Sequence, residues 1–341
     1  MKMKSSMDYN SFPPIFQEFI SYKTAVQGCS VKTVDEYALD LKIFFKFIIA
    51  TRCGVPTEGE EFDQVTIDSV DLEMAKSVTT GDIYAFLMYA TNTRNNRNAS
   101  KARKLSAIKA FYKYLVAKRR YFDENPAVNI EAPKQKKSLP KYLSLDESLL
   151  LLETIKNDKE SKFAVRDYAI VTLFLNCGMR LSELVGINIR DIDRDLRSLR
   201  VLGKGNKERI IYLNEACKDA LIPYIEARVQ LAQTTPIKTD ALFLSRLEQR
   251  ISVKTVQWMV YKYLDLAGLE SKRYSVHKLR HTAATLMYQS GKVDVRVLKD
   301  ILGHEQLNTT QIYTHVSSSD MEEAMAHNPR AKINRKDKNN V

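Results

Sequence analysis

The sequence predicts a mostly α-helical protein of two domains, with one β-hairpin in the second. Three observations carry this expectation. At 341 residues the chain is longer than a single core usually supports. Apolar residues recur at helical spacing through most of its length. Only one stretch, SLRVLGKGNKERIIYL, sets two β-type runs around a glycine-containing turn.

The first domain is read as residues 8–125. From Ser30, a helix N-cap residue, the segment SVKTVDEYALDLKIFFKFI places Tyr37, Leu41, Phe44, Phe45 and Ile48 on one stripe. The following stretch, RCGVPTEGEEFDQVTIDSVDLE, has no clear period. Its acids run from Glu58 to Glu73 with no Lys or Arg between them, so residues 52–77 read as an acidic surface insertion facing away from any anionic ligand. Helical pattern resumes at Thr80 with TGDIYAFLMYA. Between Ile83 and Phe122 there is no Asp or Glu but ten cations, above a helical stripe of Leu105, Ile108, Phe111, Tyr112 and Leu115. Solvated helix faces usually mix signs because like charges repel. We therefore expect Arg94, Arg97, Lys101, Arg103, Lys104, Lys109 and Lys113, continued by Lys118, Arg119 and Arg120, to track phosphates.

Residues 126–142, with Pro126, Pro133, Pro140 and a lysine cluster, read as a basic linker. The second domain is read as 143–328. It opens with Ser144 capping a helix and Glu147 three residues on. SKFAVRDYAIVTLFLNCG reads as a largely buried helix ending at Gly178, the hairpin follows, and helical patterns dominate from Glu215. Residues 329–341 are polar and basic and are expected to be disordered.

Lys and Arg outnumber Asp and Glu by 53 to 41, a net charge of +12 that favours a polyanionic partner, nucleic acid before membrane. The N-terminus lacks the apolar core of a secretory signal, and no apolar run is long enough to span a membrane. Cys29, Cys53, Cys177 and Cys217 form no C-x-x-C pair, which argues against a zinc knuckle or disulfide framework and for reduced thiols in the cytoplasm.

Four boxes in the second domain carry chemistry. In CGMRLSEL, Arg180 and Glu183 lie three apart, the spacing of an ordinary surface ion pair, but Gly178 puts Arg180 at a tight turn after a buried helix. In LGKGNKERI, Lys204 sits between two glycines at a hairpin tip; the stretch lacks the G-x-x-x-x-G-K-[ST] pattern of a nucleotide-binding loop. In SVHKLRHTAATLM, His277 and His281 flank Arg280; the H-x-x-x-H spacing lacks the glutamate of a zinc protease, since Lys278 stands there. In LGHEQLNTTQIYTHV, His304 follows a helix ending in Gly303, and Thr309 or Thr310 can cap a helix that carries Tyr313.

Together the boxes offer two arginines, a lysine, two or three histidines and a tyrosine, and no carboxylate cluster able to hold Mg²⁺. Phosphodiester chemistry without metal needs other positive charge on the phosphoryl oxygens, and two guanidiniums supply it. A lysine beside arginines has its pKa lowered toward that of a useful acid, and a tyrosine hydroxyl in such a field is a workable nucleophile.

R-L-S-E-L, G-K-G-N-K, H-K-L-R-H-T and L-G-H followed after eight residues by Tyr, in this order and spacing, resemble the tyrosine recombinase (phage integrase) family, nearest the Xer type. The resemblance covers nearly the whole chain, including the N-P…P-K linker. It implies an N-terminal helical bundle, a SAM-like core-binding domain, and a mixed α/β catalytic domain with a small three-stranded antiparallel sheet. By motif, Tyr313 matches the nucleophile that holds the DNA 3′ end, Arg180 and Arg280 the phosphate clamp, and Lys204 the acid that protonates the leaving 5′ oxygen. His277 and His304 match the accessory positions on the phosphate, and Glu183 a carboxylate that orients its neighbours. His281 and His315 adjoin the motifs without matching catalytic positions. The resemblance implies no cofactor and no metal. Its implied partners are double-stranded DNA with a specific core site, a homotetramer or a heterotetramer with a second recombinase on two duplexes, and a DNA translocase. The segment SSSDMEEAMAHN resembles the helix that family members lend to a neighbouring protomer. The insertion at 52–77 departs from the Xer pattern.

The implied function is site-specific recombination of the Xer type, in chromosome-dimer resolution, at the nucleoid. Integration or excision of a mobile element is the alternative role. A type IB topoisomerase shares the chemistry but not the Xer-like linker, and a non-catalytic DNA-binding protein would not require Tyr313.

Overall fold

The computed structural model describes residues 7–133, 141–203, 207–272, 274–291, 293–303 and 310. Lys204, His304, Tyr313 with its expected helix, the 317–328 segment, the 329–341 tail and the lysine cluster of the linker lie outside the described residues. The chain forms two compact units, residues 1–137 and 138–341.

The first unit is a helical bundle: α1 (Pro14–Ser21), α2 (Val31–Arg52), α3 (Glu60–Gln64), α4 (Leu72–Ser77), α5 (Thr80–Asn92) and α6 (Asn98–Lys113). The Ser30 hydroxyl accepts from the Thr33 N–H at the start of α2, as the cap reading expects. A reciprocal Thr79–Asp82 capping box opens α5. Leu41, Phe44, Phe45 and Ile48 from α2 meet Leu105, Ile108, Phe111, Tyr112 and Leu115 in one core, while Tyr37 is only partly buried. Edge-on ring pairs hold that core, with Phe16–Phe45 and Phe16–Phe111 centroids both 5.3 Å apart.

The acidic segment is not simply a surface insertion. It forms α3 and α4, and sends Phe62, Ile67, Val70 and Ala75 into the first core while its acids stay exposed. The Tyr112 hydroxyl donates to the Ala75 carbonyl at 3.0 Å, tying α4 to α6. The segment's helices are too short to show a period, which is why its apolar residues did not read as core. The first core also extends past residue 125: Ala127 and Ile130 are buried in it, and the Thr80 hydroxyl donates to the Pro126 carbonyl.

The second unit contains α7 (Leu145–Lys156), α8 (Ala164–Cys177), α9 (Leu181–Gly186), β1 (Ser198–Leu202), β2 (Glu208–Tyr212), α10 (Glu215–Thr234), α11 (Val253–Leu266), α12 (Val276–Gln289) and α13 (Val295–Leu302). A Ser144–Glu147 capping box starts α7, and Glu147 also pairs with Lys272. Helix α8 is central, packing against α7, α10 and α12 with Ala169, Ile170, Val171, Leu173 and Phe174 fully buried. Strands β1 and β2 pair antiparallel with Ser198 opposite Tyr212 and Leu202 opposite Glu208. Among the described residues the sheet has two strands, not the three implied by the resemblance. Ile192 adds one isolated bridge, to Leu199, before the chain turns at Asp193–Leu196. The Cys177 and Cys217 thiols touch at 3.7 Å between α8 and α10 and are not bonded.

Helix α8 stops at Gly178, whose φ of 57° lies in the left-handed region. A Cβ there would also approach Leu302 Cδ2 to 2.8 Å. The glycine thus turns the chain and admits the end of α13, so the first box lies against the last.

Candidate active site

Arg180 is the N-cap residue of α9 and has extended backbone angles, so it does not share a helix face with Glu183 as the spacing first suggests. Instead Glu183 reaches back: one carboxylate oxygen accepts the Arg180 N–H at 2.7 Å, and the other accepts Arg180 Nη1 at 2.8 Å. Glu183 is buried, its side chain 1% exposed, whereas that of Arg180 is 33% exposed and keeps an edge open to solvent. Burial alone would raise the Glu183 pKa. Hydrogen bonds from Arg209 and from the Arg180 N–H more than offset that and hold the carboxyl below its ordinary range.

Arg280 lies on α12 and is almost wholly buried. Its Nη1 donates to the Gly178 carbonyl and its Nη2 to the Leu302 carbonyl, each at 2.7 Å. Arg180 Nη2 donates to the Gly303 carbonyl at 2.9 Å. Both guanidiniums therefore grip consecutive carbonyls at the end of α13, immediately before His304. These orphan carbonyls of a helix C-terminus are natural partners for cations.

His277 sits in the first turn of α12, at the surface end of the cluster. Partial desolvation, then the charges of Arg280, Lys278 and Arg180, hold its pKa below the ordinary imidazole value. His281 packs edge-on against it with ring centroids 4.7 Å apart. Desolvation, then His277 and the nearby cations, lower the His281 pKa to about 4. Both rings are thus favoured in the neutral form, able to donate and accept hydrogen bonds. Among the described residues no group of three His, Cys, Asp or Glu side chains gathers as a metal site.

Of the predicted catalytic set, Arg180, Glu183, His277 and Arg280 come together, while Lys204, His304 and Tyr313 lie outside the described residues. The hairpin is closed by the Gly203 N–H donating to the Lys207 carbonyl at 2.7 Å, which brackets the tip that holds Lys204. One residue of this site escaped the sequence reading. Arg209, on β2, donates Nη1 and Nη2 to the two Glu183 oxygens at 2.6 and 2.9 Å and Nε to the Ile301 carbonyl at 3.3 Å. The signal was present in the period-two alternation: Arg209 shares the inward face with Ile211, and an inward arginine needs a buried carboxylate.

The basic stretch of the first unit divides. Lys104 is buried, its ammonium 3.1 Å from the buried carboxylate of Asp40, so it is a core ion pair and not a phosphate contact. The helical period turns it inward beside Leu105 and Ile108, and Asp40 on α2 neutralises it there. Arg103 shares Asp40 and also pairs with Glu36. Arg94 lies over the Phe62 and Tyr89 rings. Lys101 donates to the Thr91 hydroxyl, and Lys109 is half-buried with its ammonium near the Val128 carbonyl. Arg97 and Lys113 are exposed.

The phage integrase family model matches residues 141–320, which spans this whole cluster. The tyrosine recombinase XerC of Caldanaerobacter subterraneus subsp. tengcongensis is 47% identical over 328 residues, covering 96% of this chain and 90% of its own. XerC of Syntrophus aciditrophicus is 35% identical over 309 residues, covering 89% and 93%. Among solved structures, the XerH site-specific recombinase bound to palindromic difH substrate aligns with a TM-score of 0.71 over 95% of this chain and 99% of its own; at 21% identity this likeness speaks to the fold. A family match over the arginine cluster, joined to near-full-length identity with two XerC recombinases, places the chain in the phage integrase family as a Xer-like tyrosine recombinase, an enzyme that cleaves and rejoins DNA at specific sites.

Proposed function

We propose that the chain exchanges DNA strands through a covalent 3′-phosphotyrosine on Tyr313, without a metal or cofactor. Arg180 and Arg280 bind the nonbridging oxygens of the scissile phosphate and stabilise the charge that grows there. The Tyr313 hydroxyl oxygen attacks phosphorus and loses its proton. The bond to the 5′ oxygen breaks, and Lys204 protonates that oxygen as it leaves. His277 and His304 hydrogen-bond the phosphate and assist proton movement, and Glu183 orients Arg180. Rejoining reverses these steps, with a 5′ hydroxyl attacking the phosphotyrosine.

The observation that carries this reading is that Arg180 and Arg280 are both anchored on carbonyls of residues 302–303, next to His304. Donors fixed in this way need little reorganisation in the transition state. Exposed cations of the first unit, Arg97 and Lys113 foremost, contact DNA phosphates. The working assembly is a tetramer on two duplexes, of one or two kinds of recombinase. The Xer-type role in chromosome-dimer resolution is supported by the XerC relatives, which match over nearly their whole length; in this reading the chain acts at the nucleoid together with a DNA translocase. The described residues hold no helix long and apolar enough to cross a membrane.

The test is a covalent trap. The chain is incubated with sheared DNA of its source organism in EDTA, adducts are isolated under denaturing conditions, and the attached DNA is sequenced. A nicked duplex of the recovered sequence should then give a 3′ adduct with the wild type. Tyr313→Phe should bind that duplex and give none. An adduct formed by Tyr313→Phe overturns the assignment.

A further inference from the structure

We infer that Arg209 is a positioning residue for strand cleavage, a strut that fixes Glu183, and through it Arg180, against the turn leading into His304. This rests on the cleavage reading above.

Arg209 meets Glu183 as a bidentate fork, the geometry that fixes both distance and plane. The buried carboxylate of Glu183 faces two guanidiniums, so the trio carries a net positive charge. With Arg180 as its only partner, Glu183 would neutralise the cation that has to meet the phosphate. Arg209 supplies the counter-charge for Glu183 and leaves the charge of Arg180 available to DNA.

The same side chain grips the end of α13. Arg209 Nε donates to the Ile301 carbonyl while Arg180 holds the Gly303 carbonyl, so two arginines fix a three-residue turn from both ends. Gly303 has a φ of 63°, and a Cβ there would lie 3.1–3.2 Å from Arg209 Nη1, Cδ and Cζ. Glycine at 303 leaves the turn room for the close approach of the Arg209 side chain, which a Cβ would crowd. Arg209 also stands two residues from Lys207, whose carbonyl closes the hairpin tip. One side chain therefore joins the base of the Lys204 arm, the Arg180 support and the approach to His304.

The experiment uses the full chain and the nicked duplex recovered from wild-type adducts, with adduct rate, duplex affinity and melting read together. Arg209→Ala should slow adduct formation by about 10–100-fold, with affinity held within about threefold. Arg209→Lys should recover part of the rate. In Arg209→Ala the buried Glu183 loses its strongest donors and protonates more readily. The acid limb of the pH–rate profile should therefore move to higher pH. In a Glu183→Gln background, adding Arg209→Ala should cost clearly less than in the wild type, because no buried charge then needs the strut and only the Ile301 contact is lost. Wild-type adduct rates in Arg209→Ala, an equal penalty in the Glu183→Gln background, or an unmoved acid limb would each overturn the inference and leave the cleavage reading intact. If Arg209→Ala melts below the assay temperature, the pH limb of Arg209→Lys decides in the same way. A wild type that forms no Tyr313 adduct refutes the cleavage reading, and this inference with it.

Discussion

Truncating Arg280 to alanine should destabilise the second unit as well as stop cleavage. The side chain is 2% exposed and donates to the Gly178 and Leu302 carbonyls. Each hydrogen bond from a charged group contributes about 1.5–3 kcal/mol, and carbonyls left buried without a donor keep their desolvation cost. Because water entering the vacated space recovers part of the loss, we expect about 2–5 kcal/mol. With a urea slope of about 2 kcal/mol/M, the unfolding midpoint should fall by roughly 1–2.5 M. Arg280→Lys should lie between, since one ammonium on a flexible stem cannot replace a planar fork across two carbonyls. The assay is urea denaturation of the full chain, with covalent adduct formation measured in parallel. A phosphate clamp with no structural duty would lose cleavage and keep its midpoint. An unchanged midpoint in Arg280→Ala would therefore refute the claim that the carbonyls at 178 and 302 hold this arginine in place.

Three further substitutions separate packing from DNA contact in the first unit. Phe62→Ala, within the acidic segment, should cost about 3–5 kcal/mol in chemical denaturation, because Phe62 is 3% exposed and packs on Tyr89; a change under about 0.5 kcal/mol would restore the surface-insertion reading. Lys104→Ala should destabilise by about 1–3 kcal/mol, since it leaves the buried Asp40 to Arg103 alone. Arg97→Ala should instead leave stability within about 0.5 kcal/mol and reduce the slope of log affinity against log salt by about one. A flat salt response of the wild type would contradict the phosphate-tracking role.

Much of this molecule was legible because its signals are local. The α2 stripe, the caps at Ser30 and Ser144, the break at Gly178 and the single hairpin each depend on residues within a turn or two of one another. The reaction type was legible because R-L-S-E-L, G-K-G-N-K, H-K-L-R-H-T and L-G-H…Y keep the order and spacing that carry the family resemblance. Charge counting was less reliable, because a run of cations does not say which of them a helix turns inward. Lys104 is inward because Asp40, sixty-four residues earlier, meets it there.

The sequence by itself determined the helical two-domain plan and the family, and with the family the reaction class. Tertiary structure decided how the cations are held. Arg280 is anchored by carbonyls from residues 178 and 302, Arg180 by the carbonyl of 303, and Glu183 by an arginine twenty-six residues away. Backbone carbonyls carry no sequence signature, and a partner distant in the chain is chosen by packing, so neither appears until the helices meet.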